Sequence, residues 1–257
     1  MWKRVIGGAV VGVGVLISLN EKRVGDLRRR GARAPTRFEE GSMEEQFMDA
    51  LGTGDVILFK RAWHDYHFPD FVSVGMYRAL ARATFDHAGV IVEDRKGEPF
   101  LLEKTFSGVR MRPYEQRVLR SEAKEIVLVP LKPRPDLNNE QREAMFALAE
   151  EYAALHADEK ETPGLIEGTL HHLKHFKSAS SSTPHYTCPS SSVVLAFLRT
   201  LRDELGCEKE KEKGRMEARG GIVSDDFFGD AERTHSILAS IGSDFRFGEP
   251  VVVATKR

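Results

Sequence analysis

Cysteine is nearly absent from this chain: Cys188 and Cys207 are the two in 257 residues. Two thiols cannot build a disulfide framework, so free thiols in a reducing compartment are expected. An excess of one charge is missing too. A formal net charge of -1, from 38 basic and 39 acidic side chains, argues against a dedicated nucleic-acid binder, which carries a basic face. No zinc-finger, helix-turn-helix or RNA-binding signature is visible, and HExxH is absent. There is no internal repeat. The longest uncharged, mostly apolar run, residues 5–19, would give roughly 22 Å of helix against a bilayer core of about 30 Å.

What is present is ordinary in bulk and unusual at one end. Hydrophobic content of 41% and charged content of 30% suit a globular chain long enough for one substantial core. Residues 1–40 read as an apolar anchor or targeting segment with an Arg-rich linker, and residues 41–257 as the folded domain. Lys3 and Arg4 precede the apolar run, and Arg28, Arg29, Arg30 and Arg33 follow it. That pattern fits membrane association through residues 5–19, as a short anchor, a signal core or an organellar presequence. Gly8 and Gly12 have the spacing of close helix packing in membranes, a weak signal in a Gly-rich run.

Along the folded part, residues 43–51 predict a short helix and Gly52-Thr53-Gly54-Asp55 a turn into a buried strand at 56–59. Residues 71–84 have a helical rhythm. Strands follow from near His87, at 100–103, at 109–111 and at 125–131. Their short connections favour an antiparallel meander. Helices are predicted at 139–155, capped by Asn138 or Asn139 with Met145, Leu148, Tyr152 and Leu155 on the apolar face, and at 188–205. Residues 251–253 return as a strand. The pattern is α+β.

Chemistry concentrates at three positions. Cys188 stands where a polar loop gives way to an apolar helical run, and a thiol on a first helical turn is drawn toward thiolate by the helix dipole. His87 opens a strand whose Gly89 permits close backbone approach. Glu103 closes the next apolar run and can hold an imidazole tautomer from an adjacent antiparallel strand. Nucleophile, base and orienting acid are thus all available. Each also has a plainer reading: a buried structural cysteine, a satisfied core histidine, and a carboxylate paired with Lys104 or Arg110. Cys207, among charges at the far end of the same helix, is not a nucleophile candidate. His171, His172 and His175 lack the acid or cysteine that would complete a metal site, so no metal and no cofactor is expected. His185 ranks behind His87 as a partner for Cys188, and His64 and His67 border an aromatic loop fit for a cleft or for packing.

Gly54-Asp55-Val56-Ile57-Leu58-Phe59, Asp86-His87-Ala88-Gly89-Val90-Ile91, Leu102-Glu103, Gly108-Val109-Arg110 and Tyr186-Thr187-Cys188 together resemble the circularly permuted NlpC-type papain-like amidases, the YiiX/YaeF-like group. The resemblance spans about residues 50 to 255. It implies a small antiparallel sheet against helices, with the strand histidine preceding the helix cysteine, and it matches Cys188, His87 and Glu103 to nucleophile, base and third residue. It also implies amide hydrolysis of small peptide-like substrates. The distantly similar lecithin retinol acyltransferases make a membrane-tethered lipid acyltransferase or phospholipase the alternative; a non-catalytic tethered binding module is a third reading. Pro189 after the cysteine departs from the family pattern, as do the long segments 60–85 and 157–184. The Cys188 backbone N–H is a candidate oxyanion donor, and the Tyr186 hydroxyl a second.

Overall fold

The computed structural model describes residues 2–62, 65–68, 75, 84–105, 107–158, 189–205 and 246–255. Six strands form one antiparallel sheet: β1 (Val56–Lys60), β2 (His87–Glu93), β3 (Pro99–Thr105), β4 (Gly108–Pro113), β5 (Glu125–Val129) and β8 (Val251–Thr255). Their order is β4-β3-β2-β1-β5-β8. The short turns after β2 and β3 produce the expected meander, and every pairing is antiparallel. The 125–131 segment is not one strand. Pro130, which has no N–H to donate, separates β5 from β6 (Leu131–Lys132), and β6 pairs instead with β7 (Arg246–Phe247).

Two apolar layers cover the sheet. On one face Val56, Leu58, Ala88, Val90 and Leu102 pack beneath α4 (Asn139–Leu155) and α5 (Pro189–Glu204). On the other, Ile57, Phe59, Ile91, Leu101 and Ile126 pack with α3 (Tyr114–Leu119), and Phe47 and Met48 of α2 (Met43–Asp49) join them. Burial on both faces explains why β1 reads as an unbroken apolar run. Residues of one strand alternate between the layers, so β2 sends Ala88 and Val90 to the first and Ile91 to the second.

Both long helices expected from the sequence form. Asn138 caps α4 in a reciprocal capping box with Gln141, and Pro189 opens α5 at a position where its missing N–H costs nothing. The apolar face of α4 is narrower than its periodicity implies: Met145 and Ala149 are buried, whereas Leu148 and Leu155 are exposed. The predicted helix at 71–84 lies largely outside the described residues.

The N-terminal segment is one helix, α1 (Trp2–Ala32), so the Arg-rich stretch expected as a linker is helical through Arg30. Its second half touches the domain. Asn20 Nδ2 donates to the Tyr66 carbonyl at 2.8 Å, Arg23 pairs with Asp65, Glu21 pairs with His67, and Val24 is buried. Val15, Leu16 and Leu19 remain exposed. No helix among the described residues is long and apolar enough to cross a membrane.

Candidate active site

β1 pairs Phe59 with His87, and β3 pairs Glu103 with Gly89. His87 and Glu103 are therefore diagonal neighbours on one sheet face, within reach of each other's side chains. The imidazole Nε2 lies 2.7 Å from Glu103 Oε2, with His87 7% exposed and Glu103 fully buried. Gly89 sits between them. A Cβ there would come within 2.9 Å of the Leu101 side chain and 3.1 Å of the Leu102 carbonyl, so glycine lets the strands close around the pair.

The carboxylate's other oxygen is held by a residue that sequence reasoning missed. Arg117 Nε donates to Glu103 Oε1 at 2.6 Å from α3, and Arg112 stands 3.9 Å away, half exposed. The Arg117 guanidinium also covers the Phe59 ring at 4.3 Å, and that ring lies 5.6 Å from the imidazole at a 53° tilt. No short-range sequence signal marks Arg117. It reaches Glu103 because β4 passes straight into α3 and folds the chain back over the second apolar layer. Arg110, expected as a partner of the carboxylate, turns to the Ser107 carbonyl. The two oxygens of Glu103 are thus taken by Arg117 and His87 rather than by Arg110.

The electrostatics follow from burial. Desolvation pushes Glu103 toward protonation, but Arg117 and the His87 hydrogen bond outweigh it and hold the carboxyl well below the usual range. The imidazole is pulled down by burial, against the opposing pull of Glu103. A neutral imidazole beside an ionised carboxylate keeps its hydrogen on Nε2, which leaves the Nδ1 lone pair for proton transfer. Next door, Asp86 accepts from the Arg61 backbone N–H at 2.9 Å, and burial raises it to about 6 against the Arg61 guanidinium.

Cys188 and Tyr186 lie outside the described residues, as do Cys207, His64, His171, His172, His175 and His185. His67 is engaged by Glu21. The described neighbour of Cys188 is informative: Pro189 begins α5, which packs over β2 and β3. Leu198 and Leu201 of α5 lie against Gly54, ahead of β1. α5 and the His87–Glu103 pair belong to opposite faces of the sheet: α5 packs on Ala88 and Val90, whereas the pair lies with Phe59 and Arg117. Among the described residues no cluster offers a metal-binding donor set. No protein-family model and no curated protein matches this chain.

Proposed function

We propose that this protein is a thiol hydrolase on a permuted papain-like scaffold that cleaves an amide bond in a small peptide-like substrate. The observation that carries the reading is the buried His87–Glu103 pair with Nε2 engaged; α5, which begins one residue after Cys188, packs on the other face of the same strand. In this mechanism His87 Nδ1 takes the Cys188 proton, and the thiolate attacks the carbonyl carbon. The oxyanion is met by the Cys188 backbone N–H, with the Tyr186 hydroxyl as second donor. Collapse breaks the C–N bond as the imidazolium returns the proton to the leaving amine. Water, deprotonated by the same nitrogen, then releases the acid from the thioester and restores the thiol.

The test is the pH dependence of iodoacetamide alkylation in the full chain, resolved for each thiol by peptide mass, with Cys207 as internal control. Cys188 is expected to react as a low-pKa thiolate and to lose that behaviour in His87→Ala. If both thiols titrate near about 8.5, the site is not a preformed thiol–imidazole pair, and a tethered binding module is the better description.

A second reading keeps the chemistry and changes the acyl group. Val15, Leu16 and Leu19 lie exposed on α1 ahead of a basic stretch, which favours a membrane-tethered acyltransferase or phospholipase acting on lipid esters. Parallel assays with short amides and with lipid esters in anionic vesicles separate the two. Turnover of the ester alone would retire the amidase.

A further inference from the structure

Glu103 is a charge with no access to water, held by one imidazole and one guanidinium. Such a carboxylate is tolerated only while both partners stay in place, and the two are not equivalent. Arg117 is permanently charged, its side chain is 12% exposed, and its orientation is fixed by the Phe59 face beneath it. His87 can exchange a proton. We infer that Arg117 is a positioning residue of this site: it neutralises and aims the Glu103 carboxylate, and through it keeps the His87 imidazole neutral with its lone pair on Nδ1. The inference deepens the thiol-hydrolase proposal and takes its catalytic meaning from that reading.

The argument is one of charge count. With Arg117 present, the buried group of Arg117, Glu103 and a neutral His87 carries no net charge, and a proton on the imidazole would make it a cation without water to solvate it. Without Arg117, the same pair carries one negative charge, and a proton cancels it. Arg117 therefore opposes protonation of His87, in the same sense as its direct repulsion of the imidazolium, which adds to burial and to the larger repulsion from Arg61, itself paired with Asp86. The Nε–H donated to Oε1 also leaves Oε2 as the oxygen that faces the imidazole, which fixes the ring's orientation. Arg112, half exposed and at 3.9 Å, is screened by solvent and replaces neither function.

The experiment is long-range nitrogen–proton NMR on histidine-labelled full-length protein carrying Cys188→Ala, so that the thiol does not share the titration. Loss of one resonance in His87→Gln assigns His87. In the Cys188→Ala protein His87 is expected as the Nε2–H tautomer, titrating below about 6.5. Adding Arg117→Met should move that titration to higher pH, while Arg117→Lys, which keeps the charge, should leave it near its starting point. A merely structural Arg117 would lower thermal stability in both variants and leave the His87 titration unmoved, and that result overturns the inference. Should Arg117→Met fail to fold, Arg117→Gln, which also removes the charge, makes the same test, and an unmoved His87 titration there overturns the inference. Alkylation of the Cys188-containing protein separates the two proposals. An unreactive Cys188 with a titration that responds to Arg117 removes the hydrolase and keeps the device; a reactive Cys188 with an unresponsive titration does the reverse.

Discussion

Two buried carboxylates on either side of β2, Asp55 level with Ile91 and Glu103 level with Gly89, show how differently a fold can use one functional group. Asp55, just ahead of β1, accepts from the Leu131 N–H at 2.8 Å and the Gly52 N–H at 3.0 Å, with Arg134 3.5 Å away. Glu103, on β3, accepts from two side chains, His87 and Arg117. Both are fully buried, yet burial raises Asp55 while Glu103 is held below the usual carboxyl range. Main-chain donors arrive with the fold and pin the turn 52–55 to the start of β6; this is a staple. Side-chain donors carry charge and protons of their own, and one of them can titrate. Partner type, more than burial, separates a carboxylate that holds a fold together from one suited to chemistry.

The largest expected effect comes from removing the Glu103 carboxylate. Glu103→Gln keeps the shape and loses the charge, leaving Arg117 without its counterion in a site that is nearly dry. Breaking a buried pair this way costs about 3–5 kcal/mol. If the hydrolase reading holds, turnover should fall by roughly 10⁴-fold, against about 10⁶-fold for Cys188→Ala. Urea denaturation and steady-state rates read both numbers. Asp55→Ala should be comparably destabilising, since it orphans two buried N–H groups at about 1–3 kcal/mol each. Its alkylation profile at Cys188 should nevertheless match the parent, once compared at a temperature where both are folded. A shifted profile would mean that the two carboxylates are coupled, and the contrast drawn between them would fail.

The comparison also marks what the sequence made legible. The antiparallel meander of β2, β3 and β4 and both long helices were legible from short apolar runs, the turns between them and period-3.6 patterns. His87 and Glu103 were readable as a pair because strands joined by a short turn must lie side by side. Arg117 was not, because its contact depends on the angle at which α3 leaves β4 and crosses the sheet, which no local pattern encodes. The staple at Asp55 was legible only as a turn. Its partner Leu131 lies 76 positions away and presents a main-chain N–H, which has no residue signature at all. The helix through Arg30 was misjudged for a related reason: a charged, Arg-rich stretch looks like linker until the loop at 65–68 supplies partners for Asn20, Glu21 and Arg23.

Acid should act on the two carboxylates, Glu103 and Asp55, in opposite senses. Glu103 is lowered from 4.5, so its stabilisation is complete above that value and is lost as the pH falls through the folded value. His87 is lowered from 6.5, so below that value the unfolded chain binds a proton that the folded one resists, and stability falls further. Asp55 is raised from 3.8 and Asp86 from 3.8 to about 6, so both favour the fold at low pH and lose that contribution as the pH rises through their folded values. The urea midpoint of the parent should therefore drop more steeply below about 4.5 than that of Glu103→Gln. Asp55→Asn should leave the acid slope in place and flatten the loss just above 3.8. Equal slopes in the parent and Glu103→Gln would mean that Glu103 is not ionised in the folded protein.

Tyr114 offers the smallest effect and a useful control. It is wholly buried at the head of α3 in the same layer as Phe59, its hydroxyl has no hydrogen-bond partner among the described residues, and burial with Glu44 nearby raises its ionisation well above the ordinary value. An unpartnered buried hydroxyl is a cost that the folded state carries, so Tyr114→Phe should be neutral or stabilising by up to about 1 kcal/mol, with an unchanged urea m-value. A loss of stability would reveal a partner for the hydroxyl. The variant sits on the helix that carries Arg117, yet it touches neither oxygen of Glu103. If Tyr114→Phe leaves the His87 titration in place while Arg117→Met moves it, disturbance of α3 in general is removed as the cause, and the guanidinium alone accounts for the shift.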